Sequence, residues 1–154
     1  MKKNLLCTIL TTVFMLMVSF PIFAFAADNN RTATLIQSAE DLINKGDLTQ
    51  AEINLKKAME IVKDEPWALR VSARIHRIQF EKTNDKKYLK LAQTEIEKSL
   101  KSRPDDLWGN EEAALIYYYQ NNKTKSAQAI ETALKLEPNN KPIQDIKNKI
   151  QSMP

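Results

Sequence analysis

From Ala27 onward the chain alternates amphipathic segments with short polar breaks, and no stretch alternates apolar and polar residues with a period of two. Apolar residues recurring three and four apart predict helices over 31–45, 48–63, 66–82, 86–102, 106–121, 124–136 and 141–151. The breaks carry matching punctuation. Gly46 is placed to end the first helix in a left-handed cap, and Asp47 to accept from the free N–H groups that open the second. Pro66 suits a first helical turn, where its missing N–H costs nothing, and Asp105 or Asp106 is placed to cap the fifth helix. With glycine only at 46 and 109, the pattern predicts an all-α chain.

The segments repeat. Small residues recur at Ala39, Ala73 and Ala114, at Ala51, Ala92 and Ser126, and at Ala58, Ser99 and Ala133; apolar Leu55, Ile96 and Ile130 keep step with the last series. Ala39 and Ala73, Ala92 and Ser126, Ser99 and Ala133, and Pro104 and Pro138 are each 34 residues apart. One insertion of seven residues between Ala73 and Ala92 accounts for the 41-residue intervals. Antiparallel helices approach within about 8–10 Å only where small side chains sit at the crossing. Each pair then leaves an apolar face for the next pair to cover, so the pattern predicts a stack. The inserted residues around 83–88 make either a polar loop or an extra turn on each flanking helix.

These residues resemble the tetratricopeptide repeat (TPR), a 34-residue helix–turn–helix unit. The third copy, Ala114-x2-Tyr117, Ser126-x3-Ile130-x2-Ala133 and Pro138-Asn139-Asn140, follows the family pattern most fully. The first carries Ala39-x2-Leu42, Gly46-Asp47 and Ala51-x3-Leu55-x2-Ala58, and the second Ala73-x2-His76, Ala92-x3-Ile96-x2-Ser99 and Pro104. No copy has the family's Trp and Gly in their usual places in the first helix. The resemblance implies a right-handed superhelical stack of antiparallel helix pairs over 27–140, with three TPR-like repeats. Residues 141–154 follow as a C-terminal capping helix, whose Ile143, Ile146 and Ile150 form one stripe.

The first 26 residues have a separate logic. Lys2 and Lys3 precede an uncharged stretch from Asn4 to Ala27 with its apolar heart at Val13–Phe20, then Pro21 and Ala24-Phe25-Ala26. Charged start, apolar middle and small-x-small end predict a secretory signal peptide over 1–26. The competing reading is an uncleaved anchor in the inner membrane, because the stretch exceeds the ~20 residues a bilayer requires. The expected location is periplasmic or secreted. Cys7, the only cysteine, leaves with the segment, so the mature chain meets an oxidising compartment with none. Net charge falls from +4 to +2, since Lys2 and Lys3 go and no acid goes with them. A nucleic-acid partner is not expected.

Chemistry is sparse. Single His and Cys residues exclude most zinc sites and Cys–His nucleophiles, and two glycines leave no phosphate-cradling loop. His76 reads as a packed residue among Ala73, Ile75 and Phe80, and Ser38, Ser72 and Ser126 as packing positions. No catalytic residue, metal site or cofactor is expected, and the protein is not read as an enzyme.

Binding is the better expectation. In TPR arrays the first helices line a concave face that receives a peptide. Projected onto this chain, that face takes Ile36, Glu40 and Ile43, then Arg70, Arg74 and Arg77, then Trp108, Glu111, Leu115 and Tyr118. The three arginines recur four and three apart, so they share one stripe. Guanidinium groups bind carboxylates bidentately, which points to an acidic segment, with Trp67, Trp108 and Tyr118 as apolar anchors. The plainer alternative is a solvated helix face. Tyr117, Tyr118 and Tyr119 cannot all face one way; Tyr117 takes the packing position and the others turn to groove or solvent. The expected function is a protein–protein interaction adaptor or scaffold of the bacterial envelope. The alternative is a structural TPR protein that self-associates into homo-oligomers.

Overall fold

A computed structural model describes residues 28–154; the expected export segment, 1–26, lies outside the described residues. The described chain is seven helices in succession: α1 (28–44), α2 (Leu48–Ile61), α3 (Pro66–Thr83), α4 (Lys86–Ser102), α5 (Leu107–Tyr119), α6 (Lys123–Leu136) and α7 (Lys141–Gln151). Among the described residues there is no strand, and no helix is long and apolar enough to cross a membrane.

Side chains in the breaks set the helix starts. Asp47, Asp85, Asn122 and Asn140 accept from backbone N–H groups two or three residues on, and Glu65 accepts from Ala68 N at 2.7 Å. Asp106 stands at the N-cap of α5 but makes no capping bond; it faces Arg70 instead. Gly46 (φ 84) and Asn121 (φ 58) hold the left-handed position of the first and third hairpin turns, and Asn84 (φ 56) that of the second. Asparagine is one of the few residues with a side chain that visit this region readily. Gly109 serves closeness rather than conformation, since an added Cβ would lie 2.9 Å from Leu100 Cδ2.

The nine small residues of the three series are all at 0% exposure, which is why nothing larger stands there. The two serines among them satisfy their hydroxyls on backbone: Ser99 Oγ donates to Pro66 O and Ser126 Oγ to Ala114 O, each at 2.7 Å. Leu55, Ile96 and Ile130 fill the space beside each crossing and are also fully buried. Together with their neighbours they form two core clusters, one joining α1, α2 and α3, the other running from Ala73 on α3 through α4, α5 and α6 to α7. Ile143, Ile150 and Met153 close the second cluster, so α7 caps the stack. Ile36 and Ile43, expected on the open face, are instead buried in the first cluster against α3.

The seven-residue insertion extends the helices rather than making a loop. Only Asn84 and Asp85 separate α3 from α4, which have 18 and 17 residues against 13 and 14 for α5 and α6. α3 packs closely against α5, whereas α4 and α6 lie further apart and meet through the Lys125–Glu97 ion pair at 3.3 Å. The first helices of the hairpins therefore lie on the inside of the curve and the second helices are splayed on the outside.

Candidate functional site

The inner layer is α1, α3 and α5, and its centre is the arginine row of α3. Parallel packing brings acids from both neighbours onto that row. Arg70 Nη2 meets Glu40 Oε1 of α1 at 2.7 Å, while its Nε faces Asp106 Oδ2, before α5, at 3.5 Å. Arg77 meets Glu112 of α5 bidentately at 2.5 and 3.2 Å and Glu81 of its own helix at 2.6 Å. Arg74 has no ion pair among the described residues; it donates to Asn44 Oδ1 of α1 at 3.4 Å.

The expectation of three guanidinium groups open to an acidic segment is thus corrected. Arg70 and Arg77 are mostly covered and already matched to carboxylates of this chain, and they stitch the inner layer together. Nor is the row a solvated face. Burial pulls the pKa of Arg77 down, but Glu112 and then Glu81 outweigh it and hold the group charged beyond an ordinary arginine. Glu111, half-buried beside Arg74, has its pKa raised by desolvation first and by the neighbouring Glu112 second.

The aromatic anchors are spread along this layer. Trp108 is 52% exposed and Trp67 42%, and they stand 41 residues apart, the interval that also separates Ala73 from Ala114. That interval was the sequence signal that puts both at one level, in the first turns of α3 and α5. Trp67 shares a cavity of about 200 Å³ with Ala33, Ile36, Gln37, Glu40 and Arg70. Its ring lies under the Arg103 guanidinium, 4.5 Å from the centroid. Tyr118 is half-buried at the other end of α5, in a cavity of about 350 Å³ with Tyr119, Lys149 and Ser152. Tyr119 packs edge-on against Phe80 and Tyr118, both at 5.5 Å, and burial followed by Glu81 pushes its phenol up to about 12. Trp67, Arg70 and Glu40 therefore come together, Trp108 holds the matching place at the start of α5, and Tyr118 is remote. Arg103 and Asp106 were not legible as members, since helix register alone brings them to α3.

The outer layer has two features of its own. Between α3 and α4, Glu95 accepts from Ser72 Oγ at 2.8 Å and meets His76 Nδ1 at 2.6 Å. The serine bonds the carboxylate and not the imidazole, so the three do not form a serine–histidine–acid relay; this is a packed polar cluster. Between α4 and α6 a groove of about 450 Å³ is floored by Ala113, Tyr117 and Ala129. Tyr117 donates to Glu97 Oε1 at 2.8 Å, and burial, then that bond, raises its pKa well above the ordinary value.

Solved structures share this arrangement. The first TPR domain of Spaghetti (RPAP3) bound to the HSP90 peptide SRMEEVD matches with a TM-score of 0.69 at 15% identity, covering 79% of this chain and 94% of that one. The fold is that of a tetratricopeptide-repeat domain. The first TPR domain of human RPAP3, solved by NMR, matches with a TM-score of 0.69 at 15% identity, covering 80% of this chain and 91% of that one. A mutant O-GlcNAc transferase of Thermobaculum terrenum matches at 0.71 and 15% identity, with 80% of this chain but only 22% of that enzyme covered. No protein-family model and no curated protein matches the sequence. The TPR likeness is thus one of fold, carried by the small-residue crossings.

Proposed function

We propose that this chain is an exported, non-enzymatic adaptor of the bacterial cell envelope that holds a peptide segment of a partner protein along the inner layer of its TPR stack. The observation that carries the reading is the pairing of a rigid floor with open anchors. Glu40 and Glu112 hold Arg70 and Arg77 in place, while Arg74, Leu115 and Tyr118 remain partly exposed along α3 and α5. A preorganised floor lowers the ordering cost of binding. The peptide this layer suits has one carboxylate opposite Arg74 flanked by apolar side chains, rather than an acidic run. A TPR domain of the same fold binding the HSP90 peptide supports the mode. The lysine-led apolar start of the sequence supports the compartment.

Self-association by end-to-end stacking finds little support, because α7 turns Ile143 and Ile150 inward and exposes Lys141, Gln144, Asp145 and Asn148. A photo-crosslinking side chain at Leu115 is expected to capture an envelope protein, and the same probe at Leu91 on the outer layer is not. Capture from Leu91 alone, or from neither, would overturn the reading. R74E is expected to lower capture roughly tenfold, the value of one charge-assisted hydrogen bond.

A further inference from the structure

The two ends of the stack differ. At the end where α1, α3, α5 and α7 begin, Trp67 (42% exposed), Trp108 (52%) and Leu136 (44%) stand half out of the fold. Lys63, Lys101, Arg103, Lys135 and Lys141 are exposed around them, interspersed with Asp64, Asp105 and Glu137. At the opposite end the turns Lys45–Asp47, Asn84–Asp85 and Asn121–Asn122 are polar, and its one large exposed apolar side chain, Tyr119, is packed on Phe80 and Tyr118. We propose that the tryptophan end docks on the surface of a lipid bilayer, with Trp67, Trp108 and Leu136 entering the headgroup boundary.

Three observations favour a bilayer over a protein partner. Tryptophan is the side chain best suited to a boundary that is apolar on one side and wet on the other, and lysine and arginine stems lie along such a boundary with their charges outward. Arg103 over the Trp67 ring already has this pairing. The chain also enters the fold here. Ala33 of α1 is level with Trp67, and α1 continues outward to at least residue 28, five residues or about 7.5 Å beyond that level. Only seven residues lie between Phe20, the end of the apolar heart of the leading segment, and residue 28, a reach of at most about 28 Å over the eight steps. A segment that enters a bilayer thus delivers this end of the fold to its surface. The side chains do not depend on that segment and remain exposed if it is cleaved.

Trp67 and Trp108 are the only tryptophans, so emission reports on this end alone. The chain from Ala27 to Pro154, which holds every residue of both core clusters, is mixed with vesicles of phosphatidylethanolamine containing a minority of phosphatidylglycerol. The expected result is a blue shift, quenching by brominated acyl chains, and flotation of the protein with the vesicles. L136S removes the apolar side chain without adding a cation, keeps both fluorophores, and is expected to lower the floated fraction about tenfold; Y119A, at the other end, is expected to leave it unchanged. W67A/W108A is expected to abolish flotation, with melting checked in parallel. An unshifted emission without flotation, equal flotation of L136S and the parent, or a blue shift caused by soluble envelope protein and not by vesicles would each overturn the proposal.

Discussion

In the second hairpin Ser72, His76 and Glu95 form one hydrogen-bonded group between α3 and α4. The same three places in the third hairpin, 41 or 34 residues on, hold Ala113, Tyr117 and Ala129. The crossings beside them are built alike, from Ala73, Ala92 and Ser99 in one and Ala114, Ser126 and Ala133 in the other, all without exposure. The backbone approach is therefore common, and the volume beside it is set by side chains. Serine, histidine and glutamate occupy it in one hairpin. Two alanines leave it open in the other, as the 450 Å³ groove, and Tyr117 takes its carboxylate partner, Glu97, from the preceding hairpin. A repeat thus conserves how closely its helices approach while leaving free what lies between them.

The largest effect is expected where the two hairpins are tied. R77M leaves Glu112, 7% exposed at its side chain, as a buried charge without its partner, and is expected to cost about 3–5 kcal/mol in urea unfolding. Next come the matched cores: I96A and I130A are each expected to cost about 2–5 kcal/mol. Similar values would confirm that the crossings are equivalent, and a disparity of more than a few kcal/mol would break the comparison. E95A touches only the second hairpin, leaving Ser72 Oγ without its acceptor, and is expected to cost about 1–3 kcal/mol.

The smallest effect belongs to the third hairpin. Y117F removes one hydrogen bond, about 0.5–1.5 kcal/mol at neutral pH. Its pH dependence has a definite sign. Burial holds the folded phenol neutral while the unfolded chain ionises near its ordinary value of about 10. The stabilisation is therefore complete below that value and is lost as pH rises above it. Melting temperatures followed from neutral to alkaline pH should fall less steeply for Y117F than for the parent.

The crossings were legible because small size at a fixed interval is a property of single residues: all nine positions marked by the repeat are buried. Helix bounds were legible for the same reason, since caps such as Asp47 and Asn122 act within three residues of themselves. The inserted residues left two outcomes open because loop or helix depends on whether both neighbours have something to pack on; here Phe80 meets Tyr119 and His76 stacks near Tyr88. The candidate site was less legible. The arginine stripe was visible on α3, but its partners Glu40, Asp106 and Glu112 lie 30 to 36 residues away and are brought in by the register of three parallel helices. Charge on one helix says nothing of what faces it.

α3 belongs to both core clusters. Ala73 lies in the one that runs to α7, while Ala68, Val71 and Ile75, on other sides of the same helix, lie in the one with α1 and α2. Neither half of the protein completes its interior without this helix, and the helix has no interior of its own. Unfolding that starts at either terminus must therefore stop at α3 or take the whole molecule with it. In hydrogen exchange the amides of α3 should define the global opening event, while α1 and α7 exchange through smaller, local ones.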